Sequence, residues 1–336
     1  MSAAEIIEVG SEEAGLRLDR WFRRRFPKLA HGRLEKLLRT GQVRVDGGRA
    51  KAGLRLDAGQ KVRVPPLRNI TEGAKAQELP SQAKITRADR AMMQNAVLYD
   101  DGVVIALNKP PGIAVQGGSR TVRHIDGMLD ALRGEGKERP RLVHRLDRDT
   151  SGVLLLACTA NAAAKLARAF QGREARKIYW ALTLGVPHPR QGRIRAPLAK
   201  VNGAGEGQDQ ERISVVDDGD ARGKPAETVY SVMESVGRHV AWVAFMPLTG
   251  RTHQLRAHAA LLGTPIAGDH KYGAEQRLPE GLAQKLHLHA RSLEIPHPNG
   301  GVIRIDAPLP QHMRETWKFF GFNPNLSEDP FAELDP

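Results

Sequence analysis

Cysteine is nearly absent: Cys158 is the only one in 336 residues. An intrachain disulfide is therefore impossible, and a cysteine-based metal site is not expected. Long apolar runs are missing too, since no stretch approaches the ~18 apolar residues of a membrane-spanning helix. The first ten residues, MSAAEIIEVG, carry acids and no basic n-region, so no secretory signal is expected and the cytoplasm is the simplest compartment. Several catalytic signatures are also lacking. The glycine-rich stretch 108–118 has neither a G-K-[ST] ending nor G-x-G-x-x-G, which argues against a nucleotide cradle and for a rigid loop. Residues 149–153 read D-T-S-G-V, so the G-x-S-x-G elbow of a serine hydrolase is absent. His253 and His258 lie five apart, and no H-E-x-x-H or Cys/His framework links the histidines, so no metal site is expected. Acids are in short supply: 38 Asp and Glu face 51 Lys and Arg, for a net charge of +13. Such an excess favours a polyanionic partner, nucleic acid before membrane.

What is present suggests two domains. Residues 1–66 hold 15 Lys/Arg and 8 Asp/Glu, a net +7. Within this stretch the apolar spacing predicts helices over 18–26 and 32–39. Gly41 ends the second helix, Asp46-Gly47 signals a hairpin turn, and 61–64 closes a small sheet. The expected organisation is a basic αβ domain at 11–66, a polar linker at 67–96, a larger domain at 97–322 and a disordered acidic tail at 323–336. In the larger domain the strands expected at 103–107, 153–157, 177–184, 229–233, 240–246, 286–290 and 302–305 outnumber the helices at 125–132, 160–170 and 311–320 and the loop-then-helix segment at 247–263. Residues 199–226 read as a long hairpin or loop. The fold class is therefore α+β, on a large, mainly antiparallel mixed sheet with flanking helices.

Chemistry points first to residues 141–152, where Asp147 and Asp149 sit among Arg145 and Arg148 ahead of the buried run Val153–Ala157. Nearby cations keep a carboxylate ionised, which suits a nucleophile or an electrostatic group better than a general acid. A paired-carboxylate glycosidase and a plain surface salt-bridge loop remain open at this level. Arg256 lies beside the small residues Ala257, Ala259 and Ala260. A guanidinium packed there needs a fixed anion, and Asp147 is the natural candidate. Tyr179, in mid-strand, is either core or a platform for a base.

The motifs together are more selective. H-R-L-D-R-D-T-S-G-V-L-L-L-A at 144–157 resembles the signature of the RluA/RluC/RluD class of pseudouridine synthases. N-K-P-P-G-I-A-V-Q-G-G at 108–118, K-I-Y-W-A-L at 177–182, T-G-R-T-H-Q-L-R-A-H at 249–258 and G-D-H-K-Y-G at 268–273 follow in the order of that class. R-L-D-R-W at 17–21 and L-L-R-T-G-Q-V-R-V-D-G at 37–47 resemble the S4 RNA-binding domain. A-P-L-x-K and G-K-P-A-E-T-x-Y are most similar to the RluC branch, which acts on large-subunit ribosomal RNA.

The resemblance implies isomerisation of uridine to pseudouridine, with no net redox change and no cofactor or metal. It implies that Asp147 is the essential carboxylate, that Arg256 pairs with it, and that Tyr179 stacks on the target base. Leu255 would pack against the base and Arg145 would fill the space left by a flipped nucleotide. Arg33, Lys36, Arg39 and Arg44 would contact RNA from the S4-like domain. Ribosomal RNA is the implied partner and a monomer the expected state. The rival reading is a non-catalytic RNA-binding or ribosome-assembly protein.

Overall fold

A computed structural model describes residues 4–27, 29, 31–67, 85–117, 121–202, 211–217, 219–273, 278–325 and 329–332. The chain divides into two units, Met1–Pro80 and Ser81–Pro336. In the first, strand β1 (Glu5–Glu8) precedes helices α1 (Leu18–Arg25) and α2 (His31–Arg39), followed by β2 (Arg44–Val45), β3 (Gly48–Arg49) and β4 (Lys61–Val64). The strands pair in the order β1-β4-β2-β3. Asp46 and Gly47 both take positive φ, as the turn joining β2 to β3 requires. The i, i+3, i+4 spacing of Leu18, Trp21 and Phe22 puts all three in the core with Leu34 and Leu37 of α2. Each such burial contributes about 1.5–3 kcal/mol. Glu13 is buried beneath α1. It accepts from Trp21 Nε1 (3.0 Å), Arg25 Nε (2.9 Å), Arg25 Nη2 (2.8 Å) and Gly10 N (3.2 Å).

The second unit opens with helix α3 (Arg87–Asn95), which falls inside the stretch expected to be linker. Thr86 caps it, accepting from Asp89 N, and Met93 is fully buried. Two adjacent methionines give too short an apolar pattern to betray a helix. Residues 68–84 of that expected linker lie outside the described residues. Next come β5 (Val97–Asp100), β6 (Val104–Lys109), α4 (Ile125–Met128), β7 (Arg141–Leu142), β8 (Ser151–Ala157), α5 (Ala160–Gln171), β9 (Arg176–Leu184), β10 (Gln191–Arg195), β11 (Leu198–Asn202) and β12 (Glu211–Val215). The chain continues through β13 (Glu227–Val236), β14 (Val240–Pro247), α6 (Gln254–Leu261), β15 (Leu288–Pro296), β16 (Val302–Asp306) and α7 (Gln311–Phe320).

Eight strands line up as β10-β13-β14-β9-β15-β8-β6-β5, with β16 and β7 added at β15 and β8. Among the described strands of this sheet only the β15–β8 pairing is parallel, so the mixed, mainly antiparallel α+β sheet expected from the strand pattern is what forms. The stretch around 199–226 contains the two-stranded hairpin β11–β12. Among the described residues no helix is long and apolar enough to cross a membrane.

Central strand β9 sorts its side chains by the period of two. Ile178, Trp180 and Leu182 enter a core with Trp242 of β14 and Trp317 of α7. Tyr179 and Ala181 face the opposite side with Leu255 and Ala259 of α6. The tail departs from its expected disorder at the described residues 329–332. Phe331 is buried in the Trp242–Trp317 core, and Asp329 takes both hydrogen bonds of Arg176 Nη2, at 2.6 and 2.8 Å. One aromatic among acids is enough to seat this segment. On α5 the buried face is Ala162, Leu166 and Ala169. Ala167 and Phe170 instead face a cavity.

Candidate active site

Asp147 stands on the loop from β7 to β8. Leu146 beside it is buried, and fixes the loop to the core shared by Ile105, Leu107 and Leu154. The far end is pinned at Ser151, whose hydroxyl meets His289 Nδ1 at 2.9 Å, while His289 Nε2 donates to Ala307 O. Gly152 lies inside β8. A Cβ there would collide with the Ala290 carbonyl, so glycine is what allows β8 to approach β15.

Lys109, at the end of β6, holds the same loop from below. It is wholly buried, and its ammonium donates to Pro110 O, Ile113 O and Arg148 O, each at 2.9 Å. Gly112 N also reaches Arg148 O, at 3.0 Å. Burial pushes the Lys109 pKa down to about 8, with the charges of Asp149 and Asp147 opposing the fall. The rigid loop expected at 108–118 is thus the anchor of the Asp147 loop. The sequence offered one signal of this, a lysine closing a buried strand.

The segment 248–256 is built around Gln254. Its side chain receives Thr249 Oγ1 (2.7 Å) and Arg251 N (3.0 Å) and donates to Glu227 O (2.8 Å) and Thr228 Oγ1 (2.9 Å). This network orients Leu255 and Arg256 at the start of α6. Arg256 does not make the expected direct pair with Asp147. Both its donors go to buried Asp269, at 2.7 Å each. Asp269 is presented by the 268–273 turn, where it also accepts from Lys271 N and Tyr272 N. Burial alone lowers the Arg256 pKa, but Asp269 reverses this and holds it raised, with Asp147 adding at longer range. Arg256 therefore acts on Asp147 through the field rather than through a shared hydrogen bond.

The charge-capable partner of Asp147 among the described residues is one that sequence reasoning weighed only as a metal ligand. His253 Nε2 lies 4.0 Å from Asp147 Oδ2. His253 sits in the left-handed region at φ 52°, immediately before α6. Its Nδ1 meets the Tyr272 hydroxyl at 3.0 Å, and that hydroxyl accepts from Ile213 N of β12 at 3.2 Å. When the Tyr272 hydroxyl donates to Nδ1, the proton of neutral His253 sits on Nε2, toward Asp147. Burial lowers the His253 pKa while Asp147 opposes it. Its positive φ, in a residue that is not glycine, left no mark in the sequence.

These parts border one cavity of about 550 Å³. Asp147, Tyr179, Leu255, Arg256 and Arg145 all line it, so five expected site residues meet there. Arg145 is exposed. Burial, and then Asp147, push the Tyr179 phenol pKa up, so it remains a neutral hydrogen-bond donor. Asp149 does not line the cavity and pairs with neighbouring Arg148 at 3.2 Å. The lining holds Arg145, Arg173, Lys177, Arg251 and Arg256 but only one carboxylate, Asp147. Two acids flanking one bond, as a glycosidase needs, are therefore not present in the lining. Elsewhere, His258 and His287 are satisfied by core partners, His258 by Thr228 Oγ1 and Ala196 O and His287 by Lys285 O and Thr316 Oγ1. Among the described residues no group of three His, Cys, Asp or Glu could hold a metal. In the first unit Arg33, Lys36 and Arg39 are exposed on α2, while exposed Arg44 ties the turn carbonyls of Gly41 and Gly47.

Known proteins resemble this chain over most of its length. The family model described as RNA pseudouridylate synthase matches residues 103–261. The chain is similar to ribosomal large subunit pseudouridine synthase C of Rickettsia bellii, 36% identical over 91% of this chain and 98% of that protein. It is likewise similar to ribosomal large subunit pseudouridine synthase C of Yersinia pestis, at 37% identity over 92% of this chain and 93% of that one. Among solved structures, human RNA pseudouridylate synthase domain containing 4 matches with a TM-score of 0.58 at 30% identity, over 69% of this chain and 95% of that one.

Proposed function

The chain belongs to the RNA pseudouridylate synthase family, and from that premise we propose that it converts uridines of large-subunit ribosomal RNA to pseudouridine, with Asp147 as the essential carboxylate. The observation that carries this reading is Asp147 standing, among the described residues, as the one carboxylate lining a cavity that also carries five Arg and Lys side chains, with Tyr179 and Leu255 on its wall. Tyr179 and Leu255 suit a planar base, the phenol stacking or donating and the leucine packing. Arg256, locked on Asp269, places a fixed guanidinium at the cavity wall, and His253 Nε2 lies 4.0 Å from the Asp147 carboxylate. An ionised carboxylate serves attack at C6 of the base, attack at C1′ of the ribose, or stabilisation of a glycal route.

A paired uridine must leave its helix to reach such a cavity, at a cost of a few kcal/mol. Arg145, exposed at the cavity, is suited to occupy the vacated stack and bind phosphate. The basic first unit, S4-like in its motifs, grips the surrounding RNA through Arg33, Lys36 and Arg39, with Arg44 at the adjoining turn. The reaction has no net redox change and calls for no cofactor. A monomer acting in the cytoplasm fits this reading.

The test is tritium release from RNA labelled at uridine C5, with pseudouridine mapping in ribosomal RNA made with and without the protein. Release from large-subunit RNA and position-specific signals are expected. RNA binding without any release would favour the non-catalytic binder.

A further inference from the structure

Beside the His144 end of the Asp147 loop, the cavity carries a second cluster that the reaction above does not use. Helix α5 ends in a motif that normally takes glycine. Glu174 N returns to Ala169 O at 3.0 Å, the six-to-one closure of a Schellman turn, and the residue that must adopt the left-handed conformation is Arg173, at φ 63°. Gly172 stands immediately before it in an ordinary right-handed conformation. The residue free to adopt positive φ without strain is thus one position early, and an arginine bears the cost. Arg173 lines the cavity, and so does Lys177 of β9.

Lys177 is separated from Tyr179 by one residue on an extended strand. The two share a face about 7 Å apart, comparable to the reach from a base to the backbone phosphate beside it. Neither Arg173 nor Lys177 makes an ion pair or side-chain hydrogen bond among the described residues. Their charges face each other closely enough that Arg173, after burial, depresses the Lys177 pKa. Neighbouring His144 cannot relieve them. Its ring is stacked on Phe170 at 4.5 Å, its Nε2 accepts from Leu155 N, and burial followed by Lys177 holds its pKa down at about 3. Arg173 is exposed and Lys177 half-buried, so the two like charges stand side by side at the cavity wall where an anion bridging them would be favourable.

We propose that Arg173 and Lys177 form a binding site for the RNA phosphodiester adjoining the target uridine, and that the strained backbone of Arg173 is retained to aim its guanidinium at that phosphate. The proposal rests on the RNA reading above. The structural alternative is that Arg173 merely complements the C-terminal dipole of α5.

Arg173→Gly separates the two. Glycine relaxes the left-handed position, so the thermal midpoint should not fall. Removal of a charge-assisted phosphate interaction should raise KM for RNA roughly tenfold, equivalent to about 1.4 kcal/mol, with kcat changed far less. The slope of log affinity against log salt should shrink by about 0.7–0.9 when one phosphate is no longer neutralised. Lys177→Met should act in the same direction, and Arg173→Lys should keep most of the affinity. A lowered midpoint with unaltered KM and salt slope in Arg173→Gly, beside normal turnover by the unaltered protein, would overturn the phosphate site alone. Absence of any RNA binding by the unaltered protein would overturn the RNA reading and this site with it.

Discussion

Glu13 in the first unit and Asp147 in the second are both carboxylates among arginines, yet their surroundings are opposite. Glu13 is buried and accepts four hydrogen bonds, from Gly10, Trp21 and two nitrogens of Arg25. Arg25 foremost holds its pKa down at about 2. Both of its oxygens are engaged in holding α1 to the chain before it, Oε2 by three donors and Oε1 by one. Asp147 keeps about a fifth of its side chain exposed and accepts no hydrogen bond from the described residues, with His253 Nε2 nearest at 4.0 Å. Its loop is instead held by its neighbours, through Leu146, Arg148 O and Ser151. The difference separates a structural carboxylate from the one we propose to be reactive. The first is saturated through its own oxygens, whereas the second is immobilised through adjacent residues and left with free lone pairs for a substrate.

Substitutions can break this contrast. The largest effect belongs to Asp147→Asn, which should cut turnover on the order of a thousandfold or more, with RNA affinity and thermal midpoint near those of the unaltered protein. Tritium release and a filter-binding titration measure the two sides.

Next is Asp269→Asn, which strands the buried Arg256 charge. A cost of about 3–5 kcal/mol should appear as a lower urea midpoint, and turnover should fall because Arg256 is no longer fixed near Asp147.

Lys109→Met removes the donor for three buried carbonyls. A loss of about 1–3 kcal/mol is expected, together with a lower kcat from a loosened Asp147 loop. Its pH dependence has a definite sign. The folded Lys109 pKa is depressed from 10.5 to about 8, so between these values the unfolded chain binds more protons and stability rises with pH. The stability gap between the unaltered protein and Lys109→Met should therefore widen from pH 8 toward pH 10, as read from urea midpoints.

Smaller still is Glu13→Gln. Because the folded pKa of Glu13 is depressed from 4.5 to about 2, its contribution is complete above 4.5 and is lost as pH falls toward 2. The glutamine variant should lose stability at neutral pH and show less acid sensitivity over that window, with kcat at saturating RNA unchanged.

Mildest is the pair Arg33→Gln and Lys36→Gln, made together. Each phosphate left without its cation should reduce the salt slope by about 0.9 and weaken binding without touching the chemistry.

Local pattern and long-range pairing were legible to different degrees. The run Val153–Ala157, the alternation at Tyr179 and the Leu34–Leu38 spacing each declare their element, because burial imposes a period on the chain itself. Asp147, Tyr179, Leu255 and Arg145 were identifiable as candidates, and they meet in one cavity. What stayed hidden is what depends on a partner far along the chain or on backbone strain. Arg256 needs an anion, but choosing Asp269 over Asp147 requires the 268–273 turn to be folded. Lys109 reads as a surface cation until three carbonyls close around it. Phe331 is a single aromatic in an acidic segment, and only the tryptophans it meets make it core. Arg173 and His253 adopt left-handed conformations that no residue type announces.

The contrast between the two units is tested most directly by single-turnover tritium release at saturating protein, on C5-labelled ribosomal RNA, for Asp147→Asn beside the doubly substituted Arg33→Gln, Lys36→Gln protein. The account expects no release from the first and the unaltered rate from the second, because saturation restores the occupancy that the first unit's weakened grip had reduced. Release from Asp147→Asn at the rate of the unaltered protein, or a second variant still inactive when fully bound, would contradict it.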